Sequence, residues 1–470
     1  MAEEKKNSLA TRKGMTDTKQ HPASFRDPAG FIFEHAGKFY RQVNQVYAPH
    51  FELFKKSGLY ETLASQKKIL SHTELESNFT ATGDWYKTLL PEQLQVISYP
   101  YEWCFSQWKD AALLTLELVK TSMDHGMILK DATPFNIQFV NGAPVFIDTL
   151  SFEEYDASKP WIAYRQFIEC FVGPLLLARH HLQDMLKLFQ IYPDGIPLPV
   201  ISKLLPFNAV FNFNVFLHIR LPQLMGSPKN TAAKKQPAFT RQKLTNIISN
   251  LQSFVLSLRL PPVTTTWNNY YGETILSTAY ADARMAIVES WIKETNAQTV
   301  TDLGTNTGLY AKAAAAAGKF TIAVDADTAC IDKLYNECRQ QNIYNLLPLC
   351  IDITNPSPAI GWNNEERTAF FHRAQADLLL ALALVHHLAI GKNIGLQQIA
   401  SAFSQLSPNL VVEFVPKNDP KVQLLLSARP DIFTQYNESF FEEAFKQYYA
   451  ISKKTTVSGT ERIMYLMKRK

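Results

Sequence analysis

The stretch that decides the fold of the C-terminal half is Gln-Thr-Val-Thr-Asp-Leu-Gly-Thr-Asn-Thr-Gly, residues 298–308. It runs from β-branched residues into a turn of small residues, and the alanine-rich stretch 309–317 follows. This order predicts a strand, a turn and a helix in succession. In such a unit, glycines let the backbone approach a ligand closely, and free N–H groups at the start of the helix face that ligand.

Acidic residues follow the next two predicted strands. Asp325 comes directly after the strand 320–324, 17 residues beyond Gly308, and Asp352 follows the strand 347–351. An acidic side chain at the end of the second strand accepts both hydroxyls of a ribose, and one at the end of the third meets an adenine amino group. Because parallel strands end at the same edge of a sheet, we expect these groups in one crevice.

The spacing of the glycines distinguishes between nucleotides. A dinucleotide-binding turn needs G-x-G-x-x-G, whereas residues 302–308 follow the order D-x-G-x-N-x-G and Leu309 stands where a third glycine would be. This order resembles motif I of class I S-adenosylmethionine-dependent methyltransferases, and asparagine tolerates the left-handed backbone where that family more often has glycine. The resemblance implies S-adenosylmethionine as cofactor, held by six residues: Asp302, Gly304, Asn306, Gly308, Asp325 and Asp352.

The rest of the C-terminal region fits the same family. A fourth strand is predicted at 378–384 and a fifth at 410–414, and residues 448–454 and 462–467 resemble the antiparallel pair that closes this fold. The resemblance implies an α/β domain, Rossmann-like and seven-stranded, over residues 266–470.

Three shorter strings narrow the resemblance. Residues 356–362, 377–388 and 413–417 are similar to a subfamily of large bacterial methyltransferases related to rhizobial nodulation proteins. This resemblance does not supply the methyl acceptor. We expect a small molecule or a carrier-bound metabolite, and transfer to oxygen, nitrogen or carbon stays open.

Residues after strands four and five are candidates for chemistry. Methyl transfer needs a base only when the acceptor must lose a proton, and His386, His387 and Glu413 are the candidates. A structural role stays open for each of them. Trp267, Tyr270 and Tyr271 are candidates to cover the cofactor.

A second signal lies in the N-terminal half. Residues 130–148 contain Asp131, Asn136 and Asp148 in the order and spacing of the catalytic loop and metal-binding residues of kinase-like phosphotransferases. The resemblance is confined to this loop, because Leu129 stands where histidine is usual and no glycine-rich phosphate loop precedes it. A working kinase, a degenerate module and a purely structural hairpin all remain open, as does a non-catalytic scaffold that binds the cofactor.

Composition limits the remaining possibilities. The 470 residues carry a formal net charge of +4 with 46% hydrophobic side chains, which is typical of a soluble protein and does not favour nucleic acid. The absence of an N–P–P–Y tetrapeptide after strand four also disfavours nucleic-acid bases. We expect no secretory segment, no membrane partner, no metal and a cytoplasmic location, and the sequence leaves the oligomeric state open.

Domain boundaries follow from shifts in composition. We predict a disordered tail at 1–22, an α+β module with kinase-like features at 23–225, a basic linker and helix at 226–265, and the methyltransferase domain at 266–470. Within the module we predict a hairpin around Gly37, a second hairpin at Asn141-Gly142, a helix at 47–63 and mostly helices over 161–225.

Overall fold

The computed structural model describes residues 18–225, 239–261, 278–427 and 430–470. Its N-terminal part begins with an antiparallel sheet in the order β1-β2-β3-β5-β4. The strands are β1 (Thr18–Gln20), β2 (Gly30–His35), β3 (Lys38–Asn44), β4 (His72–Leu75) and β5 (Trp85–Pro91). The predicted hairpin around Gly37 is therefore present, with the left-handed pair Ala36 and Gly37 at its tip.

Helices and two small sheets follow this first sheet. Two short sheets, β6 with β9 and β7 with β8, flank the loop that contains Asp131 and Asn136. The elements are α1 (Ala48–Lys56), α2 (Leu59–Ser65), α3 (Phe105–Asp124), β6 (Met127–Leu129), β7 (Ile137–Val140), β8 (Ala143–Phe146) and β9 (Phe152–Glu154). The turn between β7 and β8 is the predicted Asn141-Gly142, and both residues have positive φ.

The remainder of the N-terminal part is mostly helical, as predicted for residues 161–225. Its helices are α4 (Tyr164–Phe167), α5 (Gly173–His180), α6 (Leu198–Leu204), α7 (Phe213–Val215), α8 (Leu221–Met225) and α9 (Arg241–Ser257). Helix α9 packs on α3, with Leu244, Ile248 and Leu251 fully buried. The helix predicted within the basic linker thus belongs to the N-terminal module by its packing.

The C-terminal domain contains a seven-stranded sheet in the order β12-β11-β10-β13-β14-β16-β15, in which β16 is the one strand that runs opposite to the other six. The strands are β10 (Thr299–Leu303), β11 (Phe320–Asp325), β12 (Leu346–Cys350), β13 (Leu378–Ala381), β14 (Asn409–Phe414), β15 (Tyr449–Thr456) and β16 (Ile463–Arg469). The helices are α10 (Thr278–Glu294), α11 (Leu309–Ala316), α12 (Thr328–Gln341), α13 (Phe370–Arg373), α14 (Leu396–Leu406), α15 (Pro420–Ser427) and α16 (Glu438–Lys446). The α/β fold and the seven strands are as predicted.

The parallel strands are buried on both faces, which explains their nearly continuous apolar sequences. Leu378 and Leu380 pack toward α10 on one face, whereas Leu379 packs on the other face, in a core that continues into the N-terminal module. From β10 the chain first adds β11 and β12 on one side and then crosses to β13 on the other side. Open α/β sheets bind ligands at the point where the strand order reverses in this way.

The two parts of the chain are joined by polar contacts as well as by this shared core. Helix α3 meets α12 through Tyr335 and Arg339, which both bond the carboxylate of Asp110. On the other side, the buried pair of Arg373 and Glu102 links α13 to the segment before α3. The N-terminal module is therefore packed directly against the C-terminal domain.

Several boundaries differ from the sequence-based predictions. Thr18–Gln20 pairs with β2 although we placed it in a disordered tail, because three residues can add an edge strand without any sequence periodicity. The helix predicted at 47–63 breaks at Gly58, whose φ is 76°. Strand β13 ends at Ala381 because Ala383 adopts a left-handed conformation. Residues 1–17, most of the basic linker, and Trp267, Tyr270 and Tyr271 lie outside the described residues. No helix within the described ranges is long and apolar enough to cross a bilayer.

Candidate active site

A pocket of about 290 Å³ opens at the carboxyl ends of β10, β11 and β12. Five of the six residues predicted to hold a cofactor line it together: Asp302, Gly304, Asn306, Asp325 and Asp352. The sixth, Gly308, does not line the pocket. The parallel register brings these side chains to one edge, although they are spread over 50 positions between Asp302 and Asp352.

Asp302 lines the pocket from the end of β10. Its side chain accepts a hydrogen bond of 2.7 Å from the Thr305 hydroxyl, and the residue is only 2% exposed. Burial raises the pKa of Asp302 to about 7, and the Thr305 hydrogen bond and the nearby Arg284 oppose that rise. A positively charged group in the pocket would favour the ionised form of this carboxyl group.

Asp325 organises the turn that precedes α11. One carboxylate oxygen accepts the backbone N–H of Asn306 at 2.7 Å, and the other accepts that of Asp327 at 2.8 Å. Asn306 has φ of 53°, so the backbone is left-handed where the family more often has glycine. Each carboxylate oxygen still has a second lone pair, which leaves Asp325 able to accept two hydroxyl groups.

Asp352 faces the same pocket from the end of β12. One oxygen, Oδ1, accepts both the backbone N–H and the hydroxyl of Thr354, at 2.8 and 2.7 Å. The other oxygen accepts no hydrogen bond from the described residues. This leaves an acceptor for an amino group at the rim.

Gly308 acts through packing. Its φ is 77°, and a Cβ at this position would lie 2.4 Å from Cδ1 of the buried Leu334 in α12. The missing side chain lets α11 start close to α12, which sets the position of the turn that lines the pocket.

We expect Gly308→Ala to lower the stability of the chain by about 2 to 4 kcal/mol, because it adds overpacking to the cost of a left-handed alanine. Gly318→Ala is the matched control, since Gly318 has φ of 78° but a Cβ added there would meet no atom within 4 Å. Thermal unfolding of the two variants would check the difference, and equal melting temperatures would contradict a packing role for Gly308.

The segment after β13 forms another wall of the pocket. Ala383 has φ of 51°, and residues His387–Gly391 form a π-helical turn, a rare geometry that often occurs at functional sites. His387 lines the pocket, and burial together with Lys421 and Arg462 lowers the pKa of its imidazole to about 4. The ring is therefore neutral at physiological pH.

His386 does not line the pocket. It is 1% exposed, its ring lies 4.1 Å from that of His387, and neither ring nitrogen has a hydrogen-bond partner among the described residues. Burial is the largest cause that holds the pKa of His386 well below the usual value, and His387, Arg462 and Arg284 lower this pKa further. The geometry supports packing behind His387.

Glu413, the third candidate for catalysis, is fully buried in a charge network away from the pocket. Its carboxylate forms an ion pair with Arg284 at 2.8 Å and accepts a hydrogen bond of 2.7 Å from Tyr280. Arg462 donates to Tyr280 at 2.9 Å and to Asp419 at 2.7 and 3.0 Å. Glu413 does not line the pocket itself, although its partner Arg284 does, and its catalytic role stays a prediction.

The pocket-lining residues that sequence reasoning missed include Arg284, Tyr310 and Lys392. The guanidinium of Arg284 lies 4.7 Å from the centre of the Tyr310 ring. Arg284 belongs to α10, which precedes the motif, and its approach to β10 depends on tertiary packing. The only local signal was a basic residue in a helix before the first strand.

The kinase-like signal also gives a compact cluster. Asn136 donates to Asp131 at 3.1 Å, and Gln166 donates to its other oxygen at 2.6 Å. Asp148 forms an ion pair with Arg41 of β3 at 2.5 Å and also accepts a hydrogen bond from the Ser151 hydroxyl. Burial, then the charge of Asp148, raises the pKa of Asp131. No group of three or more metal-ligating His, Cys, Asp or Glu side chains occurs in the described part of the chain.

Solved structures with partial likeness include methyltransferases, at TM-scores too low to establish a common fold. The N-methyltransferase NodS from Bradyrhizobium japonicum WM9 is 8% identical, with 41% of this chain and 98% of that one covered and a TM-score of 0.31. Magnesium protoporphyrin IX methyltransferase from Synechocystis PCC 6803 with bound SAH is 13% identical, with 43% and 93% covered and a TM-score of 0.31. The bifunctional kinase-methyltransferase WbdD is 15% identical, with 45% and 44% covered and a TM-score of 0.29.

Comparison with curated sequences gives a relative that aligns end to end. No protein-family model matches the chain. The nodulation protein NoeA of Rhizobium meliloti (strain 1021) is 31% identical over 484 residues, which cover 100% of this chain and 99% of that protein. The predicted relationship to rhizobial nodulation proteins is confirmed by this match, and the chain belongs to the NoeA family.

Proposed function

We propose that the C-terminal domain binds S-adenosylmethionine and transfers its methyl group to a small-molecule or carrier-bound acceptor. The observation that carries the proposal is the convergence of Asp302, Asn306, Asp325 and Asp352 from three successive strand ends on one pocket. The seven-stranded sheet, with a single antiparallel strand, supports the same assignment.

The pocket residues match the separate chemical groups of this cofactor. Asp325 has lone pairs for a ribose diol, and Asp352 has an unused oxygen for an adenine amino group. A Cβ on Gly304, whose φ is 71°, would approach Leu384 to 3.2 Å and narrow the space between the turn and the wall after β13. Asp302 supplies negative charge for a cationic methionine portion.

S-adenosylmethionine supplies an electrophilic methyl group on a positively charged sulfur. The chain mainly positions the reactants, since displacement at such a methyl group requires alignment more than covalent assistance. His387 is the pocket residue that we assign to the acceptor side, where its neutral ring accepts a hydrogen bond or a proton from an acceptor hydroxyl or amine. His386 packs behind it and fixes the ring position.

Binding of this cofactor should become tighter with rising pH. The cation favours ionised Asp302, whose pKa is raised to about 7, so below that pH part of the binding free energy is used to remove the proton. We expect the dissociation constant to fall about tenfold between about pH 6 and about pH 8. Calorimetry on Asp302→Asn should give weaker binding and a flatter profile, and an unchanged profile in that variant would contradict the assignment.

The direct test of the proposal is calorimetric titration of the full chain with S-adenosylmethionine and S-adenosylhomocysteine. Micromolar binding of both would support it and justify a search for the acceptor with radiolabelled methyl groups. Absence of binding would overturn it. Binding without transfer to any acceptor pool would favour a scaffold that senses the cofactor.

A second candidate function is phosphoryl transfer by the N-terminal module. The hydrogen bond between Asp131 and Asn136 and their closeness to Asp148 favour a kinase-like loop, and the five-stranded antiparallel sheet lies beside it. The ion pair between Arg41 and Asp148 argues against phosphotransferase activity, because it neutralises the carboxylate that would bind a metal ion. We infer a module that resembles a kinase but holds its metal-binding aspartate neutralised.

Magnesium-ATP titration tests this second candidate. A working phosphotransferase should hydrolyse ATP, lose that activity in Asp148→Ala and keep it in Asp325→Ala. A neutralised module should bind no magnesium-ATP as isolated, and Arg41→Ala should free the Asp148 carboxylate.

A further inference from the structure

A run of apolar side chains lies exposed in the helical part of the N-terminal module. Phe207 and Phe211 are each 79% exposed, Phe213 is 69% exposed and Leu224 is 76% exposed. We call Phe207, Phe211, Phe213, Phe216 and Leu224 the phenylalanine surface. Large apolar residues exposed singly are ordinary, but several within one short run indicate an interaction site.

The phenylalanine surface is part of an ordered structure. On its inner side Ala209, Val215 and Ile219 are buried in the main core. Asn212 caps α7 by accepting the N–H groups of Asn214 and Val215. The segment is therefore apolar on both sides, and elements of that kind are covered either by protein or by lipid.

The polar contacts of this segment also hold it in place. His218 bonds Tyr164 at 2.6 Å and Asn250 of α9 at 2.9 Å, and Asn250 donates to Asn214 at 3.0 Å. The rings of Phe207 and Phe211 contact each other edge to face, with centroids 6.0 Å apart. Because these contacts hold the backbone of the segment in place, the phenylalanine side chains are exposed in an ordered structure.

The charge around this surface indicates what covers it. Residues 195–272 contain no aspartate or glutamate, although the chain has 43 acidic residues in total. The same stretch of sequence contains eight basic residues. Five of them lie within the described residues, namely Lys203, Arg220, Arg241, Lys243 and Arg259, and Arg241 among these pairs with Asp124. An apolar surface set in a segment of purely positive formal charge is complementary to a sheet of anionic headgroups above an apolar layer.

We propose that the phenylalanine surface, together with Lys203 and Arg220 of the same described segment, docks the protein on the surface of an anionic lipid bilayer. The phenylalanine rings would enter the boundary between headgroups and acyl chains, and Lys203 and Arg220 would contact the phosphates. A protein partner is less well matched, because lysine is depleted in protein interfaces, whereas Lys203 lies exposed in the same apolar segment. Docking requires no spanning helix, and it revises our expectation that the protein has no membrane partner.

Vesicle flotation of the full chain tests the proposal. We expect binding to phosphatidylcholine vesicles with about 30% phosphatidylglycerol, at least tenfold weaker binding to pure phosphatidylcholine, and release at about 0.5 M salt. The variant Phe207→Ser/Phe211→Ser should lose binding at least tenfold, and Lys203→Glu, at an exposed position of α6, should lose it several-fold. Ile432→Ser is the matched control, since Ile432 is 68% exposed outside this surface.

Other outcomes would overturn the proposal. Absence of flotation, equal flotation with both vesicle types, or equal loss in the Ile432 variant would each exclude specific docking. A concentration-dependent dimer that Phe207→Ser/Phe211→Ser abolishes, without vesicle binding, would assign the surface to a second copy of the chain. Unchanged melting temperatures of the serine variants would exclude unfolding as the cause of lost binding.

Discussion

Asp325→Asn should weaken the binding of S-adenosylmethionine by about 100-fold, because two hydrogen bonds to a charged acceptor are worth about 3 kcal/mol or more together. The wild-type carboxylate accepts the backbone N–H of Asn306 on one oxygen and that of Asp327 on the other. An amide has only one acceptor oxygen, so its NH₂ group would face one of these donors. The substitution therefore removes one of the two acceptors for the ribose and loosens the turn at the same time.

Asp327→Asn is the matched control for this measurement. Asp327 lies two residues further on and caps α12 by accepting the N–H groups of Ala329 and Cys330. Because asparagine caps helices as well as aspartate, we expect the affinity to stay within about twofold and the melting temperature to stay unchanged. Wild-type affinity in Asp325→Asn, or an equal loss in both variants, would contradict the role of Asp325.

Much of the pocket was predictable because its signals are local. The strand, turn and helix at 298–316 are encoded within about 20 neighbouring residues, and parallel strands then bring Asp325 and Asp352 to the same edge. The hairpin at Asn141-Gly142 was predictable for the same reason, since two left-handed residues define its turn. These features depend on backbone geometry that a short stretch determines by itself.

The features that sequence reasoning missed depend on distant contacts. Arg41 and Asp148 are 107 positions apart, and Tyr280 and Glu413 are 133 positions apart, so no local pattern pairs them. Which of His386 and His387 faces the pocket depends on the π-helical turn that begins there, because that turn changes the direction of successive side chains. The burial of Glu413 was missed for a related reason, since its position at a strand end resembles that of a group that faces the pocket.

Glu413→Gln should destabilise the C-terminal domain by about 3 to 5 kcal/mol, since it leaves buried Arg284 and Arg462 short of one negative charge. Glu413 and Arg462 are both fully buried, so water cannot replace the lost carboxylate. For a domain of this size, the melting temperature should fall by about 10 °C or more. Glu443→Gln is the control, because that glutamate is exposed, and its effect should stay within about 0.5 kcal/mol.

The double variant Glu413→Gln/Arg284→Gln distinguishes a charge network from a catalytic role. Removing Arg284 as well eliminates the positive charge that Glu413→Gln leaves uncompensated, so part of the lost stability should return. Each of the two substitutions alone should destabilise the chain. Differential scanning calorimetry of the wild-type chain and the three variants measures this coupling. An unchanged melting temperature in Glu413→Gln, combined with loss of methyl transfer, would return Glu413 to the acceptor side. Recovery of stability in the double variant would instead assign the Glu413 carboxylate to the charge network that holds α10 against β14 and β16.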